Sequence, residues 1–252
     1  MKRLLREPRR IPSALLRRLF PNHPRLGNPW VRLTDGSITF RETGFVAADS
    51  PALLLARHNY EVACIRRLRR GKEIGRSLEI GCGYGRLTPT FAEFSAEHTA
   101  IDINPDALAK ARQAYPDYDF RRASATELPF PDSQFDLVTT WTVLQHIPPD
   151  RIGAACGELR RVLAPGGTLL LCEETRLADQ PLSRRPHTWH RRSEDYEQLL
   201  APLEQTYCSD IAEISRLPGM ESPGTVMVWI RHRPTVQQDR ATDASLFNDA
   251  DE

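Results

Sequence analysis

Residues 76–87 read RSLEIGCGYGRL, and the spacing of three glycines there, Gly81, Gly83 and Gly85, decides the fold. A short apolar run carrying one acid, Glu79, ends directly on them. Glycine reaches positive φ freely and lets a ligand approach the backbone. A loop between a strand and the first turn of a helix also presents unpaired N–H groups. In an open α/β sheet such a loop lies at the carboxyl end of a strand, where ligands collect. A nucleotide-type ligand is therefore expected. The dinucleotide fingerprint needs a glycine where this chain has Arg86, and no Gly-Lys-Ser/Thr of a phosphate loop follows.

On either side, short apolar runs alternate with helical patterns. SLEIG, HTAIDI, YDFRRA, FDLVTT and GTLLLCE read as buried strands. Helical periodicity marks SPALLLARHNYEVACIRRLRR, which opens with a Ser cap and Pro at the first helical position, then RLTPTFAEFSA, PDALAKARQAY and DRIGAACGELRRVLA. That alternation implies right-handed crossovers and a mainly parallel sheet with helices on both faces. After residue 174 come a polar connection rich in Arg and His, a helix SEDYEQLLAPL, and two more strand-like runs, EQTYCSDIAEI and TVMVWIR. With only a Pro- and Gly-containing link between them, these two predict an antiparallel pair at the end of the sheet.

The second clue is AIDINPDAL. Asp102 ends the second strand, 102 − 81 = 21 residues past the first glycine, near the ~20-residue offset at which a carboxylate meets ribose hydroxyls. That role is preferred to a loop acid or a cap for the helix starting at Pro105. Taken with these residues, the chain resembles a class I S-adenosylmethionine-dependent methyltransferase. LEIGCGYGRL is similar to that family's first motif and AIDINPDAL to its acidic motif. ATELPFPDSQFDLVTTWTVLQHI resembles the segment through the fourth strand, and ELRRVLAPGGTLLL the motif entering the fifth. The resemblance covers residues 74 to 172 and implies a Rossmann-like α/β fold, a seven-stranded mainly parallel sheet with its last strand antiparallel. It also implies S-adenosyl-L-methionine as cofactor, S-adenosyl-L-homocysteine as product, and no metal.

By the same resemblance, Glu79 and the backbone from Gly81 through Cys82 and Gly83 to Gly85 hold the methionine part. Asp102 binds the ribose and Ile103 presses on the adenine. The family commonly has an acid where this chain has Ser124, so adenine recognition is expected from Ser124 and the backbone near Ala125. Thr140, Trp141 and Thr142, ending the fourth strand, are expected to border the reacting methyl. Methyl transfer from a sulfonium is an in-line displacement, with the nucleophile held near ~3 Å from the methyl carbon and a general base where a proton must leave. His146, in VLQHIPPD, is the first candidate for that base, because histidine titrates in a suitable range; Glu173 and Glu174 are rivals. On the acceptor side, His187, Trp189, His190 and Arg191 form an arginine-interleaved stretch suited to a carboxylate, phosphate or aromatic group. His58 and Tyr60 are read as helix packing rather than a lid.

The functional expectation is methyl transfer to an O, N or C nucleophile of a small-molecule acceptor, anionic or amphiphilic in character. Nucleic-acid and protein methylation and a non-catalytic S-adenosylmethionine-binding role are the alternatives. HIPPD (residues 146–150) is not the Asp/Asn-Pro-Pro-aromatic motif expected of an amino-methylating DNA enzyme, so no specific nucleic-acid partner is expected. The adjacent Glu173 and Glu174 are thin support for a guanidinium-binding loop.

At 252 residues, with 34 basic against 33 acidic side chains, the chain suits one domain with appendages and carries no field of one sign. The expected division is a basic Pro/Arg-rich arm over 1–46, a domain over 47–233 with a substrate-side insertion at 176–193, and an acidic, disordered tail over 234–252. Leu15, Leu16, Leu19 and Phe20 fit an amphipathic helix, with membrane-surface contact through residues 1–20 as the sharper alternative to packing. The 5 cysteines include no CxxC pair, no apolar run approaches ~18 residues, and a cytoplasmic, reducing setting is expected.

Overall fold

The glycine loop opens from the middle of a seven-stranded sheet. A computed structural model describes residues 33–34, 37–38, 51–68, 74–175, 188–210 and 225–232. The helix expected at residues 15–20, most of the 176–193 insertion and the acidic tail lie outside them. In chain order the elements are β1 (Leu33–Thr34), β2 (Ser37–Ile38), α1 (Pro51–Leu68), β3 (Ile74–Ile80), α2 (Thr88–Ala92), β4 (Ser95–Asp102) and α3 (Pro105–Ala114). There follow β5 (Asp119–Arg122), β6 (Phe135–Trp141), a 3-10 turn (Leu144–His146), α4 (Ile152–Val162), β7 (Leu163–Glu173), α5 (Ser193–Leu200), β8 (Glu204–Asp210) and β9 (Thr225–Ile230).

β1 and β2 pair antiparallel by themselves. The large sheet runs β5-β4-β3-β6-β7-β9-β8. β3, β4, β5, β6 and β7 pair parallel, while β9 runs antiparallel to both β7 and β8. The late pair is thus antiparallel as the sequence predicts, with β9 inserted between β7 and the edge strand β8.

Strand parity divides the sheet's residues between two cores. Leu78, Ile80, Val138, Leu169 and Leu171 join α4 and α5 residues in one, and Leu137, Trp141, Leu170 and Cys172 join α1 and α2 in the other. Cys82, Ala100 and α3 residues make a third, smaller cluster. Each fully buried Leu, Ile or Val contributes about 1.5–3 kcal/mol over exposure. Strands buried on both faces explain why the runs read as continuously apolar rather than alternating.

Three boundaries differ from the sequence expectation. α2 stops at Ala92, because pairing of β4 with β3 reaches back to Ser95 opposite Ile74. β3 itself starts at Ile74, three residues before SLEIG. α4 ends at Val162, since Ala164 precedes Pro165 and that position is driven out of the helical region. The cap of α3 is Asn104, whose Oδ1 accepts from the N–H groups of Asp106 at 2.9 Å and Ala107 at 3.2 Å. Asp102 is thereby free of the capping role.

Candidate functional site

The carboxyl ends of β3, β4, β6 and β7 converge on the glycine loop. Gly81, Gly83 and Gly85 have φ of 74°, 54° and 75°. The N–H groups of Gly81 and Cys82 both donate to the carbonyl of Ile101, at 2.8 and 2.9 Å, which fastens the loop to β4. A Cβ on Gly81 would lie 2.3 Å from Val143 Cγ2, so the loop after β6 packs directly against it; a Cβ on Gly83 would meet nothing within 4 Å. Gly83 therefore presents an open backbone face, as a ligand cradle requires. The Cys82 thiol, buried, is pushed well above its ordinary pKa and has no nucleophilic character.

Two buried acids flank this loop. Asp102, 4% exposed, accepts from the Gly83 N–H at 2.8 Å through Oδ2 and from the Asn104 N–H at 2.8 Å through Oδ1. Burial raises its pKa, and these bonds pull against the rise. A carboxylate has about four lone-pair sites, so both oxygens keep capacity for hydroxyl donors. Glu79, also 4% exposed, accepts from the Thr88 hydroxyl at 2.5 Å through Oε2, while its Oε1 accepts no hydrogen bond from the described residues. Ile103, beside Asp102, is 63% exposed, the one large hydrophobic side chain standing in solvent among the described residues. Ser124 lies across from Glu127 in an isolated bridge, with its hydroxyl bonded to that of Thr126 at 2.8 Å; Ala125 packs on the core. A nucleoside diol and an ammonium both have acceptors here, so the residues present fit an S-adenosyl ligand.

The loop after β6 is fixed from two sides. Glu173, fully buried at the end of β7, accepts from the backbone N–H groups of Val143 (3.2 Å), Leu144 (3.1 Å) and Gln145 (3.1 Å) and from the Thr140 hydroxyl (2.9 Å). Burial pushes its pKa up to about 7 against the pull of those four donors. On the carbonyl side, the Arg191 guanidinium donates to Leu144 at 2.9 Å and Ile147 at 2.7 Å. Thr142, between strand and turn, holds a φ of 57°, a costly conformation for a β-branched residue.

These contacts bear on three of the expected site residues. Glu173 was expected as a rival base, but its carboxylate is enclosed and occupied by loop donors. Thr140 turns its hydroxyl into the core toward Glu173, leaving the half-exposed Thr142 as the polar side chain at the strand's end. Arg191 was expected to clamp the acceptor, yet it is 5% exposed and bonded to protein carbonyls. Trp141 is buried against Phe91, ring centroids 6.2 Å apart. No local signal marked Glu173 and Arg191 as loop anchors, since their partners lie 28 to 47 positions away.

On the acceptor side, the Trp189 N–H donates to the Gln145 carbonyl at 2.7 Å, which seats residues 188–192 beside the turn that carries His146. His190 Nε2 lies 3.0 Å from Glu174 Oε2, a buried imidazole–carboxylate pair. His187 lies outside the described residues. His58 and Tyr60 are buried, Tyr60 fully. Among the described residues, no group of three His, Cys, Asp or Glu side chains is placed to hold a metal ion, and no helix is long and apolar enough to cross a membrane.

Residues 78–171 match the family model described as a methyltransferase domain. A probable S-adenosylmethionine-dependent methyltransferase of Mycolicibacterium smegmatis is 30% identical over 158 residues, 60% of each chain. A ubiquinone biosynthesis O-methyltransferase of Xanthomonas oryzae pv. oryzae is 37% identical over 102 residues, 38% of this chain and 41% of that one. Among solved structures, the N-methyltransferase NodS of Bradyrhizobium japonicum, in complex with S-adenosyl-L-homocysteine, aligns with a TM-score of 0.58 at 19% identity. That alignment covers 85% of this chain and 97% of NodS and is a likeness of fold. The matches span 43% to 60% of the length of the first curated relatives.

Proposed function

We propose, from the premise that the chain carries a class I S-adenosylmethionine-dependent methyltransferase domain over residues 78–171, that it transfers a methyl group to an O, N or C nucleophile of a small-molecule acceptor. The observation that carries the reading is the junction of β3 and β4, where an open glycine backbone and a buried Asp102 with spare acceptor capacity meet. When bound, S-adenosyl-L-methionine supplies an electrophilic methyl on a sulfonium whose leaving group needs no proton.

The chain's own part is alignment and exclusion of water. Glu79 takes the amino-acid ammonium and Asp102 the ribose diol. Ile103 offers an apolar surface to the adenine, with Ser124 and Ala125 at its edge. Thr142 and the turn behind it border the acceptor. His146 is the candidate base for a nucleophile that must lose a proton. His190, held by Glu174, is a second imidazole on that side, with Trp189 next to it. The ubiquinone biosynthesis O-methyltransferase among the relatives supports a small acceptor; an anionic or amphiphilic one is our proposal, as is a cytoplasmic setting.

The test is calorimetric titration with S-adenosylmethionine, S-adenosylhomocysteine and NAD on the wild type and Asp102→Ala. Both sulfur compounds are expected to bind the wild type, with affinity lowered about 10- to 100-fold in the variant, since a charged acceptor of two hydroxyls is lost. Binding of NAD alone would sink the reading.

A further inference from the structure

The register of β3 on β4 sets Ser77 opposite His98 and Glu79 opposite Ala100. Ser77, Glu79 and His98 consequently share one face, and they form a buried polar line. The Ser95 and Ser77 hydroxyl oxygens are 2.5 Å apart, and Ser77 Oγ is 2.7 Å from His98 Nδ1. His98 Nε2 is 3.6 Å from Glu79 Oε2, the same oxygen that accepts from Thr88. The His98 side chain is 4% exposed. Nothing in the first motif or in the reading above gives this imidazole a part.

One assignment of protons runs along the line, and its last step is an ion-pair approach rather than a hydrogen bond, since His98 Nε2 is buried with no hydrogen-bond partner and stands 3.6 Å from Glu79 Oε2. Ser95 donates to Ser77, Ser77 donates to Nδ1, and Nε2 carries a proton toward Glu79. The tautomer is assigned from the network. Every donor then points the same way and the series ends on Glu79 Oε2. A buried carboxylate needs such donors, because an unsolvated charge otherwise takes up a proton.

We infer that His98 is a positioning residue for the amino-acid end of the cofactor: its imidazole stands against Oε2 of Glu79, the oxygen that accepts from Thr88, and holds the carboxylate with Oε1 available to an ammonium. The inference rests on the proposed S-adenosyl cofactor. It concerns one part of that ligand alone, since the nucleoside is held elsewhere, at Asp102.

That separation gives the test. 5′-Methylthioadenosine carries the nucleoside and thioether of S-adenosylhomocysteine but no amino acid. Both are titrated calorimetrically into wild type, His98→Leu, His98→Gln and Thr88→Val, with circular dichroism to check folding. His98→Leu is expected to bind S-adenosylhomocysteine about tenfold more weakly, with 5′-methylthioadenosine affinity unchanged. His98→Gln, which restores an N–H donor, regains most of the loss, and Thr88→Val, which strips the same oxygen, shows the same selectivity. If His98→Leu does not fold, the Thr88→Val and His98→Gln pair carries the comparison. Equal loss for both ligands, or no loss for either, overturns the inference while leaving the cofactor reading intact. A wild type that binds neither ligand overturns both.

Discussion

Glu173 carries a charge that the fold both needs and resists. Its four donors are three consecutive loop amides and one hydroxyl, all best served by an ionised carboxylate. Full burial opposes ionisation and wins, so the folded pKa, about 7, stands above the ordinary carboxylate value of 4.5. A raised folded pKa means the folded state holds the proton more tightly than the unfolded chain. Its contribution is complete below pH 4.5 and is lost as pH rises through 7, on the order of 3 kcal/mol in all. Urea unfolding at pH 5, 6.5 and 8 is therefore expected to show wild-type stability dropping relative to Glu173→Gln across that window. The variant starts lower, because its amide NH2 faces backbone N–H groups and leaves about 1–3 kcal/mol of unmet hydrogen bonding. Parallel pH curves for the two proteins would refute the assignment.

At the scale of elements, the turn Leu144–His146 is gripped at both its polar ends. Glu173, closing β7, takes its amides, and Arg191, just before α5, takes the carbonyls of Leu144, its first residue, and of Ile147, just after it. Val143, at its start, lies on Gly81. Three segments far apart in sequence thus form one joint between the glycine loop, the strand ends and the acceptor-side residues. Replacing Arg191 with Met keeps an apolar stem but leaves the Ile147 carbonyl without its donor and the Leu144 carbonyl with the Ile147 N–H alone, a loss of about 1–3 kcal/mol. Hydrogen exchange should then quicken at the amides of residues 143–147 while those of β3 and β4 stay slow. Uniform acceleration would mean that Arg191 supports the whole domain rather than this joint. None of this was legible in the sequence. RSLEIGCGYGRL and AIDINPDAL could be read because the glycines and acids proposed to hold the ligand there stand close together in the chain. Glu173, Arg191 and His98 could not, because each acts through pairing register or a long-range packing contact. Likewise, periodicity could not see that β4 claims Ser95 from the preceding helical pattern, since pairing with Ile74 decides it.

Across the molecule, the parallel core of the sheet was legible because strands covered on both faces leave long apolar runs, and the antiparallel β9 because the sequence joining its run to that of β8 is a short Pro- and Gly-containing link without helical periodicity. The balanced charge, +1 over 252 residues, gives no long-range pull on a ligand, so recognition must come from the groups at the strand ends. Those groups join elements: the glycine loop is bonded to β4, packed on the loop after β6, and through that loop tied to β7 and the segment before α5. A ligand proposed to seat there would bind the folded state, which alone assembles these groups. At a free concentration 100 times its Kd it adds about 2.7 kcal/mol, which for a domain of this size raises the melting midpoint by roughly 5–10 °C. S-adenosylhomocysteine is expected to produce that rise in a thermal melt, to lose most of it at the same concentration in Asp102→Ala, and NAD to produce none. A rise with NAD and none with S-adenosylhomocysteine would place a different ligand at this edge, and the glycine at position 83 would then have to serve a phosphate rather than a nucleoside.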